Sequence, residues 1–142
     1  MTAVSSVENQ SGSSSRSPLN ICIVTRELYG WSEPTEAVAA TIGMAQHFAT
    51  QGDTVTLLCV PPFDSADNAP IAKLTDYLFG SHLIKLDVLK SCRDFLPALW
   101  GHEKASAAVY YHLKEQKFDA VYFALEGGLA YYTLLAKELG LY

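Results

Sequence analysis

Short apolar runs separated by amphipathic stretches dominate the hydrophobic pattern of this chain. Residues 21–24 and 55–60 are continuously apolar and rich in β-branched side chains, which is typical of strands buried on both faces of a parallel sheet. Between them, apolar residues recur at helical spacing from Val38 to Ala49, and Gly52 follows as a helix-ending residue. Residues 19–60 are therefore predicted to form a strand–helix–strand unit with a right-handed crossover.

The second half of the chain continues this alternation. A helix is predicted over residues 102–116, and a third buried strand over 120–125 is followed directly by a helix over 129–139. Residues 83–87 alternate only weakly, so the pattern allows an edge strand there without requiring one. We expect an α/β fold, in which a Rossmann-like parallel sheet carries helices on both faces.

Composition narrows the classes of function. The 142 residues are 49% hydrophobic and 18% charged, which is enough apolar material for one domain with a real core. The net charge of −5 and the lack of a basic cluster argue against a nucleic acid partner. No apolar run approaches the roughly 20 residues of a membrane span, which leaves only a peripheral membrane contact open.

Cysteine and serine usage indicates compartment and domain boundaries. Cys22 and Cys59 lie inside apolar runs, and the three cysteines form no C-x-x-C pair, so we expect a reducing, cytoplasmic compartment. Residues 1–18 contain seven serines and no secretory signal pattern, and are predicted to be a disordered leader to a domain at 19–142. The four histidines show no metal-ligand spacing, so no metal site is predicted.

Two loops are the candidate ligand sites, because open α/β sheets bind ligands outside the carboxyl ends of their strands. The first loop, residues 26–35, supplies a cation, an acid and aromatic faces that suit sugars, while the negative charges of Glu33 and Glu36 disfavour phosphate binding there. In the second loop, residues 126–128, two glycines at a helix start expose backbone N–H groups. The candidate substrate-binding residues are Arg26, Glu27, Tyr29, Gly30, Trp31, Ser32, Glu126, Gly127 and Gly128.

Each loop also has a purely structural interpretation. Tyr29 and Trp31 could simply cover the end of the sheet, with Arg26 paired to a neighbouring glutamate. Gly127 and Gly128 could serve only to let the helix approach the strand closely. No catalytic residue is assigned.

The order of these features resembles the N-terminal domain of GT-B glycosyltransferases, the retaining group that includes sucrose-phosphate synthases, mannosyltransferases and glycogen synthases. The resemblance rests on the strand at 21–25, the helix at 37–51, the turn and strand that begin at Gly52, the strand at 118–123, and Glu126-Gly127-Gly128 after it. This chain has Thr35-Glu36 where the family commonly has paired glycines, and Asp53 where it commonly has a histidine.

The resemblance implies a transferase without a cofactor or a metal. The complete enzyme would move a sugar from a nucleotide-sugar donor, held mostly by a C-terminal domain missing from this chain, to an acceptor lying against the two loops. The chain would then be an incomplete first half, inactive alone, with an uncovered sheet edge and apolar helix surface that favour self-association. The alternatives are a non-catalytic α/β binding module, or the partner subunit of a split transferase. A flavodoxin-like domain ranks last, since no Ser/Thr-rich phosphate loop follows the first strand.

Overall fold

The computed structural model describes residues 16–26, 28, 35–61, 82–89, 101–124 and 128–141. Within these ranges, the strands and helices lie where the hydrophobic pattern predicts them. The elements are β1 (Asn20–Thr25), α1 (Glu36–Thr50), β2 (Thr54–Cys59), β3 (Ile84–Val88), α2 (Gly101–Lys114), β4 (Ala120–Phe123) and α3 (Tyr131–Glu138). No helix in these ranges combines the length and apolar character needed to cross a bilayer.

The strands form one parallel sheet in the order β3-β2-β1-β4, which confirms the α/β prediction. The edge strand that the sequence pattern allowed at residues 83–87 is present as β3, which pairs in register with β2 from Val55↔Ile84 to Cys59↔Val88. Its weak alternation is explained by its place at the edge of the sheet, where most of its side chains are only half-buried.

Helices cover both faces of the sheet, as expected. On one face, α1 packs Val38, Ile42 and Ala45 against alternate residues of β1 and β2. On the other face, α2 packs Ala105, Ala108, Val109 and Leu113 against the intervening residues of the same strands. Cys22 and Cys59, which belong to opposite faces, are both fully buried, as the apolar pattern predicts.

The strand order explains why the two helices lie on opposite faces. The chain moves outward from β1 through β2 to β3, and then returns past β1 to form β4. Right-handed crossovers that travel in opposite directions place their helices on opposite sides of the sheet. β1 is consequently covered on both faces and is the most deeply buried strand of the described sheet.

A buried carboxylate joins the start of β1 to the start of β2. Asp53 is fully buried, and one of its oxygens accepts the backbone N–H of Leu19 at 2.9 Å. Its other oxygen forms an ion pair with the guanidinium of Arg16, which belongs to the predicted leader at 1–18. The residues before Arg16 lie outside the described part of the chain. The hydrogen bond from Leu19, assisted by Arg16, lowers the pKa of Asp53 below its ordinary value.

Candidate functional site at the carboxyl ends of β1 and β4

The candidate site lies where the order of the strands reverses. β1 pairs with β2 on one side and with β4 on the other; the chain leaves β1 toward α1 on one face of the sheet, and leaves β4 toward α3, which packs on α2 on the other face. Val24 of β1 stands beside Phe123 of β4, at the last pair of the two strands. The loops that follow β1 and β4 therefore start from adjacent strands, and such a switch point is where open α/β sheets bind ligands.

Arg26 is the first residue after β1, and its side chain contacts the start of α2. Its Nη1 atom lies 3.0 Å from Nδ1 of His102, although the two residues are 76 positions apart. Because a guanidinium has only donors, Nδ1 of His102 accepts this hydrogen bond and the ring hydrogen lies on Nε2. The contact thus brings a guanidinium and an imidazole together at the switch point.

Sequence patterns alone did not single out His102 as a site residue. A crossover helix between parallel strands runs antiparallel to them, so its first turn lies at the carboxyl ends of the strands. His102 is in the first turn of α2, the crossover helix that precedes β4. The position of a histidine at the start of such a helix is the signal that could have identified it.

Gly128 forms the other side of the switch point, just before α3. Its φ is +68°, a left-handed conformation that side chains rarely adopt, and its carbonyl accepts the N–H of Tyr131 at 3.1 Å. Among the described residues, no atom lies within 4 Å of a Cβ atom added there. The left-handed backbone conformation accounts for a glycine at this position.

Ser106 of α2 holds this turn in place. Its hydroxyl donates to the carbonyl of Leu129 at 3.0 Å and accepts the N–H of Tyr132 at 3.0 Å. Leu129 is itself buried under α2, so the predicted helix over 129–139 begins later, at Tyr131. These contacts attach the segment after Gly128 to the same helix that carries His102.

Of the nine predicted site residues, the structure describes Arg26 and Gly128, and it places them after neighbouring strands. In the first loop, two residues after Arg26, Leu28 is buried in the core beneath α1. The remaining predicted residues lie outside the described part of the chain. They are Glu27, Tyr29, Gly30, Trp31, Ser32, Glu126 and Gly127.

The described residues offer neither a metal centre nor a thiolate nucleophile. No group of three histidine, cysteine, aspartate or glutamate side chains comes together among them to hold a metal ion. Burial, with a further contribution from the charge of Asp87, raises the pKa of the Cys22 thiol to about 12. Because only the thiolate is strongly nucleophilic, Cys22 acts as part of the core.

No protein-family model matches the chain, and comparisons with curated proteins and with solved structures return no significant match.

Proposed function

We propose that this chain is the acceptor-side N-terminal domain of a GT-B glycosyltransferase, with the sugar acceptor bound at the carboxyl ends of β1 and β4. The observation that carries the proposal is the strand order β3-β2-β1-β4, since it brings the two predicted acceptor loops onto adjacent strands. The donor nucleotide-sugar belongs, by the same resemblance, to a second α/β domain.

Arg26 and His102 have the chemistry that this role requires. Sugar hydroxyls accept and donate hydrogen bonds, and guanidinium and imidazole N–H groups, which a 3.0 Å contact between Arg26 and His102 brings together here, are hydrogen-bond donors. Two rigid elements support the pair, because Arg26 directly follows the central strand and His102 lies in the first turn of a 14-residue helix. A site supported in this way needs little reorganisation when a polar ligand binds. The proposed role of both residues is to orient the acceptor.

The test is an NMR titration of the ¹⁵N-labelled full chain with free monosaccharides, with sugar phosphates and with UDP-glucose. We expect one of the acceptor sugars to shift the backbone resonances of Arg26, His102 and Gly128. Losing a hydrogen bond from a charged group to a ligand costs about 1.5–3 kcal/mol, so Arg26→Gln should weaken that binding about tenfold or more. Lys137→Gln removes an exposed cation at the far end of α3 and is the matched control.

The possible outcomes separate the proposal from its alternatives. Shifts confined to other parts of the chain, or no shift with any sugar, would overturn the acceptor site. If UDP-glucose, but no free sugar, shifts the resonances of Arg26, His102 and Gly128, the result would favour a binding module for nucleotide-like ligands. Incubation with UDP-glucose and the bound acceptor should give no glycosyl product from this chain, because the proposal assigns the donor to a second domain. Product formed by the purified chain would contradict that assignment.

A further inference from the structure

A histidine in the last turn of α2 contacts the strand β3. Asp87 of β3 pairs in register with Leu58, which belongs to the core cluster beneath α2, so its carboxylate lies on the α2 face of the sheet. The Oδ2 atom of Asp87 is 3.1 Å from Nε2 of His112. This contact connects the end of α2 to a strand that precedes the helix along the chain.

A second side chain reaches the same nitrogen atom. Gln116 lies in the turn after α2, where its backbone N–H donates to the Leu113 carbonyl at 3.1 Å. Its side-chain amide nitrogen is 2.7 Å from Nε2 of His112. An imidazole nitrogen carries either a hydrogen, which a carboxylate accepts, or a lone pair, to which an amide N–H donates. Nε2 of His112 therefore bonds with only one of these two partners at a time.

Protonation of the ring selects between the two partners. An imidazolium has a hydrogen on both nitrogens, so Nε2 can only donate, and its positive charge adds an ion pair with the Asp87 carboxylate. In the neutral ring Nε2 can hold a lone pair, which accepts the Gln116 amide N–H without involving β3. Because an unperturbed imidazole exchanges its proton near pH 6.5, a mild change of pH is sufficient to change the partner.

We propose that His112 is a pH-sensitive clasp, which binds Asp87 and fastens the end of α2 to β3 in mild acid, and binds Gln116 near pH 8. The ion pair requires an ionised carboxylate and a protonated imidazole, so it contributes stability between about pH 4 and pH 6.5. That contribution is lost as the pH rises above this range and as it falls below it. The inference does not depend on the sugar site, although His102 lies at the other end of the same helix.

The other titratable groups near the pair keep their charge between pH 5 and pH 8. On the described elements that pack here, they are Lys85 of β3, Cys22 of β1, and Tyr111, Lys114 and Glu115 beside His112 along the chain. Burial, with a further contribution from the charge of Asp87, raises the pKa of Cys22 to about 12, so this thiol stays neutral. The remaining side chains titrate well above or below this range in their ordinary state. The change of charge within it therefore belongs to His112.

The first test is a double-mutant cycle of Asp87→Asn and His112→Gln, measured by urea unfolding of the full chain at pH 5 and at pH 8. The side chains of Asp87 and His112 are 39% and 23% exposed, so solvent screens their attraction. We expect a coupling of about two- to fivefold in the unfolding equilibrium constant at pH 5, and none at pH 8. Glu115→Gln replaces Asp87→Asn in the control cycle, which should show no coupling with His112→Gln at either pH.

The second test needs no variant, because ¹⁵N chemical shifts of the His112 ring report which nitrogen carries a hydrogen. We expect Nε2 without a hydrogen at pH 8 and both nitrogens protonated at pH 5. A hydrogen on Nε2 at both pH values would overturn the exchange of partners.

The cycle separates the remaining outcomes. Absence of coupling at pH 5 would overturn the clasp, and equal coupling at pH 5 and pH 8 would overturn its dependence on pH. Coupling in the Glu115 cycle instead would assign the ion pair of His112 to that residue. Circular dichroism establishes that each variant is folded.

Discussion

The single residue Asp53 connects the starts of β1 and β2, at the end of the sheet opposite the candidate site. In the sequence it is only the residue after a helix-ending glycine, in a turn before β2. In the fold, the start of β1 lies beside it, and the Leu19 carbonyl accepts the N–H of Thr54 at 2.9 Å. The carboxylate then accepts the Leu19 N–H and pairs with Arg16. A buried charge is tolerated there because both of its oxygens are bound.

The lowered pKa of Asp53 predicts a specific loss of stability in acid. The folded chain holds this carboxylate ionised below its unfolded pKa of about 3.9, so its stabilisation is complete above that pH and is lost as the pH falls through the lower folded pKa. We expect Asp53→Asn to lower the melting temperature near neutral pH. Below about pH 4, the wild-type melting temperature should fall toward that of the variant.

Thermal melts followed by circular dichroism across this pH range test the expectation. Glu115→Gln removes an exposed carboxylate after α2 and should behave like the wild type. Wild-type and Asp53→Asn melting temperatures that stay separated by a constant amount throughout the acid range would show that the ionised carboxylate is not the cause.

At the scale of elements, turns and hydrogen bonds between helices decide where each helix lies. α1 is capped at its start by Thr35, whose hydroxyl accepts the N–H of Val38 at 3.3 Å, and it ends before Gly52. α3 has no such side-chain cap, and its start is held by Ser106 of α2 instead. The first helix is therefore specified locally, whereas the position of the last one depends on a contact across 26 residues.

Ser106 is expected to stabilise the attachment of α3 to α2. Ser106→Ala leaves the buried Leu129 carbonyl and the Tyr132 N–H without this partner, which should lower the free energy of unfolding by about 1–3 kcal/mol. Thr133→Val is the matched comparison, because no hydrogen-bond partner for the buried Thr133 hydroxyl is found among the described residues. That change should be neutral or stabilising. Urea denaturation measures both variants, and equal losses for the two would contradict the assigned role of Ser106.

Two glycines of the first helical region should respond oppositely to alanine. Gly52 has a φ of +88°, so Gly52→Ala is expected to destabilise the fold by about 1–2 kcal/mol through backbone strain. Gly43 lies inside α1, and no atom of the described residues is within 4 Å of an added Cβ, so Gly43→Ala should stabilise the helix by about 0.5–1 kcal/mol. Thermal and urea unfolding measure both changes. A destabilising Gly43→Ala would reveal a contact at that position, and a neutral Gly52→Ala would show that the turn relaxes.

At the scale of the whole molecule, the candidate ligand site and the buried carboxylate of Asp53 lie at opposite ends of the sheet. The carboxyl ends of β1 and β4 carry Arg26 and His102, the pair proposed to orient a sugar acceptor. At the opposite end of the sheet, the buried Asp53 accepts the Leu19 N–H and pairs with Arg16. Variants at Arg26 and at Asp53 therefore test ligand binding and stability separately.

Periodicity in the sequence was sufficient for the fold class and for most of the elements. Apolar runs at 21–24 and 55–60 predict strands that are covered on both sides, and helical spacing from Val38 to Ala49 predicts the face of α1 that is buried. These properties are local, because each residue's burial follows from the repeat of its own strand or helix. The same information placed the two candidate loops at strand ends and predicted a parallel sheet.

Pairing between distant segments required the folded chain. The half-buried β3 edge leaves too weak an alternation to establish its place in the sheet, and the Arg26–His102 contact joins residues 76 positions apart. The burial of Asp53 likewise depends on β1 lying beside β2. Local periodicity determines which face of an element is apolar, but not which other element covers it. That choice follows from the order of the strands and the handedness of the crossovers, which only packing of the whole chain establishes.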